Sequence, residues 1–327
     1  MPVPSSETLP SPAETTHTDW QGMPYYPYSQ YLKQHFGKKV YKLTLDGEFT
    51  CPNIDGTKGR GGCTFCDETG SSSRAQDKGA SIREQLLTNL ERQRARFKAE
   101  AFIAYFQSHT NTYASVHKLQ KLYDEAFDTH PDIIGLAVST RSDCVDREKL
   151  LLIKSYEAPG RTISVEYGMQ TIHDRTLETI NRCETHADFM AAYTLTRELE
   201  LDHCIHIILG LPGETHADMM ATADRMAELR VNGVKIHLLV AMDKTQIAKQ
   251  YRQGLWEAMS LETYVQTICD FIERLHPSCV IHRVAGNGHH QHVLAPRWMA
   301  DKKQVMSLIE QEFAHRGTHQ GSHCRFL

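Results

Sequence analysis

Short apolar runs that alternate with amphipathic stretches constrain the fold of this chain more than any other feature. Six runs rich in aliphatic and aromatic residues predict strands at 40–45, 102–106, 133–139, 162–167, 203–209 and 234–240. Apolar side chains at helical spacing predict helices at 82–97, 116–127, 147–156, 174–182, 187–200, 217–229 and 264–275. Alternating strands and helices imply right-handed crossovers and a parallel sheet covered by helices. The pattern therefore predicts an α/β fold, a partial (β/α)6 barrel of the TIM type.

The two ends of the chain fall outside this pattern. Residues 1–21 are rich in Pro, Ser, Thr and Glu, which predicts a disordered tail. The aromatic segment 23–31 predicts an N-terminal strap that either packs over the body of the protein or lines a binding surface. We assign residues 22–255 to the core domain. Residues 256–327 are assigned to a short α/β extension that completes or caps the barrel, with a candidate seventh strand at 280–284.

The composition is that of an ordinary globular protein in water, with 40% hydrophobic and 23% charged residues. No apolar run approaches the roughly 20 residues needed to span a bilayer. The N-terminus lacks the basic start and the apolar core of a signal peptide. A net charge of −4 creates no global field that would attract nucleic acid. We therefore expect a cytoplasmic protein that does not associate with a membrane.

Three of the nine cysteines, Cys51, Cys63 and Cys66, lie in one glycine-rich loop after the first predicted strand. Four ligands close a structural zinc site, whereas three thiolates on a four-iron cluster leave one iron open to a substrate. The count of three favours a catalytic cluster, and a structural zinc site that recruits a histidine stays open as the alternative. The other six cysteines lack CxxC spacing and are interpreted as small apolar or surface residues: Cys144, Cys183, Cys204, Cys269, Cys279 and Cys324.

Polar or glycine-rich residues follow each of the first five predicted strands. The cysteine loop follows the first strand, 107–111 the second and 140–143 the third. Glu166 and Gln170 lie at the end of the fourth strand, and the Gly-Leu-Pro-Gly-Glu segment 210–214 follows the fifth. In parallel β/α folds, ligands bind at the carboxyl ends of the strands. The sequence therefore predicts one binding site along this edge.

Seven motifs occur in order between residues 22 and 310. They read CPN…GGCTFC at 51–66, YFQSHTNTY at 105–113, STRSD at 139–143, VEYGMQ at 165–170, HIILGLPGET at 206–215, VKIHL at 234–238 and APRW at 295–298. Together they resemble the radical S-adenosylmethionine (SAM) superfamily. More narrowly, the chain is similar to its YhcC-type members, which are related to the radical SAM domain of the Elongator catalytic subunit.

Two positions depart from the pattern of that superfamily. The commonest cysteine spacing leaves three residues between the first two cysteines, whereas eleven separate Cys51 from Cys63 here. The segment 181–184 reads Asn-Arg-Cys-Glu where similar sequences carry Asn-Arg-Gly-His. The first departure looks like a variant of the subfamily, and the second puts any role of the 181–184 turn in doubt.

The resemblance implies an enzyme with a [4Fe–4S] cluster on Cys51, Cys63 and Cys66. Such an enzyme reductively cleaves SAM to methionine and a 5′-deoxyadenosyl radical, which abstracts hydrogen from a substrate. The substrate is not identified by the sequence, with RNA or a small metabolite as the candidates. A one-electron donor of the flavodoxin or ferredoxin type is implied as a partner. The competing hypothesis is a non-catalytic zinc or iron–sulfur protein that acts through a partner.

The same resemblance suggests which residues hold SAM. Phe65 is expected to pack on the adenine, and the backbone of Leu209 and Gly210 to pair with the adenine edge. Glu166 and Gln170, four residues apart on a strand-to-helix turn, are expected to bond the ribose hydroxyls. Glu166 as a simple salt-bridge partner remains the alternative.

The remaining candidates concern the methionyl end of SAM and the substrate. Ser108 and Thr140 are candidates for the methionyl end. Lys235 and His237 share one face of the sixth strand, so that they either meet a polar substrate inside the barrel or serve as a solvent-reaching lysine and a core histidine.

Two further groups of polar residues leave their roles open. Arg141 and Asp143 either contact substrate or form an internal ion pair. His289, His290 and His292 lie in a glycine-rich loop and either bind a metal or are solvated.

Overall fold

The computed structural model describes residues 20–67, 70, 79–286 and 292–327. The predicted tail 1–21 lies outside the described residues except for its last two positions, and His289 and His290 lie outside them as well. Among the described helices, none is both long enough and apolar enough to cross a bilayer.

Strands and helices alternate along most of the described chain. The strands are β1 Val40–Leu45, β2 Ala101–Phe106, β3 Ile133–Thr140, β4 Thr162–Gln170, β5 Asp202–Leu209, β6 Gly233–Leu238, β7 Ala241–Met242, β8 Val280–Arg283 and β9 Val293–Ala295. The helices are α1 Tyr28–Phe36, α2 Ile82–Phe97, α3 Val116–Thr129, α4 Arg147–Lys154, α5 Asp174–Thr179, α6 His186–Glu198, α7 His216–Glu228, α8 Gln246–Arg252, α9 Leu261–Arg274 and α10 Lys302–Arg316.

Seven strands form one parallel sheet in the order β1-β2-β3-β4-β5-β6-β8. The sheet curls into a half-barrel of the TIM type, which confirms the predicted fold class, and β8 is the seventh strand. All six predicted strands are present, although β6 ends at Leu238 rather than at residue 240. It ends there because the chain turns away to pair Ala241 with Ala295 in a separate two-stranded sheet.

Capping boxes fix where three of the helices begin. Ser81 and Glu84 cap α2, Thr185 and Asp188 cap α6, and an equivalent Thr-Asp pair caps α7. In each box the hydroxyl accepts from a backbone N–H of the first turn, and the carboxylate accepts from the N–H of the capping residue. These caps set the lengths of the loops that lead from the strand ends to the helices.

The two faces of the sheet have different neighbours. Alternate residues such as Val165, Tyr167 and Ile205 pack in the main apolar core between the sheet and the helices. The intervening residues point into the barrel interior. At the amino ends of the strands this interior is apolar, with Val40 and Ile103 packed in one cluster with α1.

The N-terminal strap is built around a helix that the sequence did not predict, α1. The chain at Pro27 bridges to Ile281 of β8, and Tyr28 at the start of α1 stacks on His282 with ring centroids 4.0 Å apart. The ammonium of Lys42 on β1 lies 4.7 Å from the centroid of the Tyr28 ring. The strap therefore lies between the two edge strands, β1 and β8, which do not pair with each other.

Candidate functional site

The cysteine loop folds into two tight turns at the carboxyl end of β1. The amide of Ile54 donates to the carbonyl of Cys51 at 2.9 Å, and the amide of Cys66 donates to that of Cys63 at 3.0 Å. Between them, Thr64 donates to Ile180 O and accepts from the amide of Ile247. These bonds hold the second turn between the end of α5 and the start of α8.

Hydrogen-bond donors lie against two of the three sulfurs. The Thr110 hydroxyl is 3.0 Å from Cys51 Sγ, and the Asn53 amide is 3.3 Å from Cys63 Sγ. Burial raises the pKa of the Cys51 thiol, while Thr110 and a nearby arginine, Arg182, oppose that shift. All nine cysteines, which lie within the described residues, are free thiols. Donors of this kind stabilise thiolate ligands, so the loop fits a metal cluster.

Arg182 belongs to this site although the sequence did not single it out. Its Nη1 lies 3.7 Å from Cys63 Sγ, its Nη2 donates to Gly168 O at 2.7 Å, and it pairs with Glu184 at 2.9 Å. A Cβ on Gly168 would lie 2.7 Å from Gln170 Nε2 and 3.1 Å from Arg182 Nη2. The missing side chain at residue 168 therefore lets Arg182 and Gln170 approach each other on one face of β4.

The backbone of the 181–184 turn explains why similar sequences carry glycine at the position of Cys183. Asn181 and Cys183 both adopt left-handed backbone, with φ of 52° and 51°. A glycine adopts this conformation without steric strain, which accounts for the glycine expected at residue 183. Gly59 of the cysteine loop packs directly on this turn, because a Cβ there would lie 2.6 Å from Cys183 Sγ.

Arg141 and Asp143 form an internal ion pair beside the turn. Two parallel bonds of 2.8 Å join the guanidinium to the carboxylate, and Arg141 Nη1 donates to Arg182 O at 2.7 Å. Lys58 of the cysteine loop adds an ion pair of 2.6 Å to the same carboxylate. Of the two predicted roles, this geometry supports the internal pair, which links the cysteine loop to the 181–184 turn.

Three of the residues predicted to hold SAM differ in their hydrogen bonding and backbone conformation. The Ser108 hydroxyl is fully buried and has no hydrogen-bond partner within the described part of the chain. The Thr140 hydroxyl is engaged with Thr112 at 2.6 Å. Gln170 is buried at the end of β4, with φ of 71°. Their contacts with SAM stay predictions.

The residues predicted to contact adenine already have neighbours in the structure. Phe65 packs against an apolar cluster that contains Ile208 and Ile247. The carbonyl of Leu209 accepts from the amide of Leu239 at 2.9 Å, and the carbonyl of Gly210 accepts from the Trp256 indole at 3.1 Å. Both carbonyls thus already accept one bond, and their pairing with adenine also stays a prediction.

Glu166 lies deeper than the sequence suggested. Because β4 continues to Gln170, Glu166 lies in the middle of the strand and not on a strand-to-helix turn. Its fully buried carboxylate pairs with Lys42, with Lys235 at 3.3 Å and with His206 at 2.7 Å. Burial alone would raise the pKa of Glu166, but the two lysines hold it well below its usual range. These ion pairs support the salt-bridge alternative for Glu166, and its contact with ribose stays a prediction.

Lys235 and His237 also point into the barrel interior. The ammonium of Lys235 donates to Tyr105 OH at 2.7 Å, and burial lowers the pKa of Lys235 to about 8. His237 Nε2 is buried without a hydrogen-bond partner among the residues that the structure describes, and the ring centroid of His237 is 5.4 Å from that of His206. Lys235 therefore does not reach solvent, and His237 is not a satisfied core histidine.

Comparisons with known proteins decide the family. The family model described as "Radical SAM superfamily" matches residues 55–226, and that described as "Radical_SAM C-terminal domain" matches residues 231–315. The chain belongs to the radical SAM superfamily. Members of this superfamily are enzymes that use a [4Fe–4S] cluster and SAM. The boundaries predicted for the core and the extension stay predictions.

Individual radical SAM relatives agree with the narrower resemblance. "Protein YhcC" of Escherichia coli (strain K12) is 38% identical over 293 residues, which are 89% of this chain and 92% of that protein. A "tRNA uridine(34) acetyltransferase" of Methanocaldococcus jannaschii is 26% identical over 165 residues, 47% of this chain and 29% of that protein. The YhcC-type prediction is therefore confirmed.

A solved structure extends the comparison to the fold. Elp3 of Methanocaldococcus infernus superposes with a TM-score of 0.67 at 13% identity. The match covers 86% of this chain and 64% of that one, so the chain spans about two thirds of the Elp3 structure. At this identity the likeness concerns the fold alone.

Proposed function

We propose that this chain reductively cleaves SAM and abstracts hydrogen from a substrate held in the barrel interior. One observation carries the proposal. Three free thiols, two of them with hydrogen-bond donors against the sulfur, follow β1 of a barrel whose interior is lined with charged side chains. When bound, the cluster and SAM would supply the 5′-deoxyadenosyl radical.

The protein residues have separate tasks in this proposal. Cys51, Cys63 and Cys66 bind the cluster, and Thr110 and Asn53 stabilise charge on two of the sulfurs.

The proposed donors for SAM lie near the carboxyl ends of β2 and β4. The Ser108 hydroxyl and the Gln170 amide face the same end of the barrel, and the guanidinium of Arg182 reaches Cys63. A cation and a free hydroxyl suit the carboxylate and the amine of the methionyl group.

RNA is the substrate class that we propose. The support comes from the partial likeness to a protein named as a tRNA acetyltransferase and from the shared fold with Elp3. The electron donor is proposed to be a flavodoxin or ferredoxin, and the compartment the cytoplasm. The nine free thiols support the latter, because such thiols are typical of proteins in a reducing compartment.

Anaerobic reconstitution tests the activity. We expect about four irons and four sulfides per chain, and 5′-deoxyadenosine from SAM after reduction with dithionite. The Cys63→Ala variant should lose both the cluster and the product, because three ligands are needed. Cys324→Ala, which removes a thiol far along the chain, is the matched control and should keep both. Bound zinc with no deoxyadenosine would instead support the non-catalytic alternative.

A comparison between a deletion strain and its parent strain tests the substrate class. Digested tRNA and the small-metabolite pool from a deletion strain are compared with those of the parent by mass spectrometry. A modified nucleoside that disappears in the deletion strain, and returns with the wild-type gene but not with Cys63→Ala, supports RNA. A change confined to the metabolites contradicts it.

A further inference from the structure

Charged and polar side chains of the barrel interior form a group, with Arg283 aligned beside Lys235 at its edge, and we call this group the lumen cluster. It consists of Lys42, Tyr105, Glu166, His206, Lys235, His237, His282 and Arg283. Its residues come from six strands of the sheet, which are β1, β2, β4, β5, β6 and β8. The cluster is therefore part of the fold and not a local surface feature.

Positive charge exceeds negative charge in the lumen cluster. Lys42, Lys235 and Arg283 are cations, whereas Glu166 is the one carboxylate of the group, which leaves an excess of two positive charges. Burial lowers the pKa of each histidine in the cluster, that of His206 to about 4, so the histidines are neutral at pH 7. The chain as a whole has a net charge of −4, so this excess is local.

Another acidic residue, Asp202, lies near the amino end of β5 and does not remove the excess. It is four residues before His206, about 13 Å along the strand at roughly 3.3 Å per residue. Burial raises the pKa of Asp202, and no lysine of the lumen cluster pairs with it among the described residues.

Arg283 is the least satisfied of the cations. Within the part of the chain that the structure describes, it forms no hydrogen bond and no ion pair. A bulge in the β6–β8 ladder aligns Arg283 with Lys235, and the charge of Arg283 lowers the pKa of Lys235 and of His237. Bulges of this kind redirect a side chain beside a binding site. A partly buried cation such as Arg283 beside a buried one, Lys235, is unfavourable unless an anion joins them.

His237 supplies an independent sign of a missing partner. Among the described residues its Nε2 is enclosed but unbonded. Buried polar atoms are bonded in the great majority of cases, so this atom is available to a polar group of a ligand. In one tautomer, a neutral imidazole donates a hydrogen bond from Nε2.

A metal ion is the less suitable occupant. Glu166, Cys204 and His206 do present ligand atoms within 4.8 Å of one another. However, both lysines already pair with the Glu166 carboxylate, and a cation would have to displace them. The excess positive charge would oppose it further.

We propose that the lumen cluster binds an anionic group of the substrate, a carboxylate or a phosphate, through Arg283, Lys235 and His237. The inference rests on the proposed function, since it assigns chemistry to the substrate of that reaction. Position supports it. Glu166 is two residues before Gly168, about 7 Å along β4 at roughly 3.3 Å per residue. Gly168 in turn bonds Arg182, which reaches Cys63, so an anion in the lumen would hold the substrate below the cluster.

Chemical modification of arginine tests the site directly. Cluster-loaded protein at low ionic strength is treated with methylglyoxal, with and without inorganic phosphate or acetate, and modified peptides are quantified by mass spectrometry. We expect one of the anions to slow modification of Arg283, and the more protective anion distinguishes phosphate from carboxylate. Arg147, whose side chain is 61% exposed and which lies outside the barrel, is the internal control and should react at an unchanged rate.

A variant adds a second measurement. Lys235→Met should raise the anion concentration that half-protects Arg283 by about tenfold, the effect of losing one charge-assisted bond. Lys235→Arg should retain most of the protection. The protection of Arg283 by the anions is measured on wild-type protein alone, so that measurement remains decisive if Lys235→Met fails to fold.

The outcomes separate this inference from the proposed function. An Arg283 modification rate that neither anion changes overturns the anion site, even when the wild-type protein produces 5′-deoxyadenosine. Protection of Arg283 in a protein that produces none supports the anion site and overturns the radical activity.

Discussion

Asp143 lies between two cations and is almost fully buried, with 2% of its side chain exposed. Burial alone would raise the pKa of its carboxyl group, but the bonds from Arg141 and Lys58 lower it to about 2. A carboxylate whose pKa falls on folding stabilises the folded state above its unfolded pKa of about 4. That contribution is lost as the pH falls from about 4 to about 2. The ion pair between Asp143 and Lys58 of the cysteine loop should therefore weaken as the pH falls towards 2.

The Asp143→Asn variant tests this coupling. At pH 6 we expect the free energy of unfolding to fall by about 2 kcal/mol or more, because Arg141 loses its buried counter-charge. The difference from wild type should shrink as the pH approaches 2, where about half of the wild-type Asp143 carboxylates are protonated. Urea unfolding of metal-free protein between pH 2.5 and pH 6 measures it. Asp243→Asn, at an exposed ion pair with Arg252, is the control, and an equal effect in both variants would contradict the prediction.

At the scale of residues, the sequence could predict contacts that are local and not those that depend on the fold. Cys63 and Cys66 are joined by one turn, so their spacing alone predicts their proximity. Arg182 reaches Cys63 from 119 residues away, and no local pattern signals that contact. The one available signal was an arginine next to residue 183, inside a turn that similar sequences also carry.

At the scale of elements, strand ends were harder to predict than strands. The apolar run of β4 stops at residue 167, but the strand continues through Gly168 and Gln170 because its inner face lines a polar interior. A polar inner face looks like a loop in the sequence. The predicted ribose contact of Glu166 depended on that early end.

The helix α1 closes the gap between β1 and β8 and leads to a prediction. Tyr28→Ala would remove the ring that stacks on His282 and lies under the Lys42 ammonium. We expect a loss of about 2 kcal/mol or more in unfolding free energy, because a large aromatic side chain leaves a cavity. Hydrogen–deuterium exchange should become faster in β1 and β8, while the central strand β4 keeps its protection.

Tyr251→Ala is the matched control for this experiment, since Tyr251 is 39% exposed on the outer helix α8. It should leave exchange in both edge strands unchanged. Faster exchange spread evenly over all seven strands in Tyr28→Ala would mean that α1 contributes only general stability. In that case the proposed closure of the gap would be wrong.

At the scale of the whole molecule, the alternating pattern predicted the parallel sheet of a partial barrel. It could not predict how the ends of the chain meet. The Gln320 side chain accepts from the amide of Tyr26 at 2.9 Å, across 294 residues. It also donates to the carbonyls of His276 and Cys279, each at 2.8 Å. Such a junction leaves no periodic signal in the sequence.

Gln320 therefore joins the N-terminal strap, the loop before β8 and the C-terminal segment. Gln320→Ala would leave the buried amide of Tyr26 and the carbonyl of Cys279 without this partner, at about 1–3 kcal/mol for each unsatisfied group. We expect the thermal midpoint to fall by roughly 5 °C, and limited proteolysis to cut first near the strap. Gln311→Ala, which removes a single bond to Ser307 on the exposed side of α10, should change neither. If Gln320→Ala lowered the midpoint without exposing the strap, Gln320 would stabilise only the C-terminal segment, and the strap would depend on α1 alone.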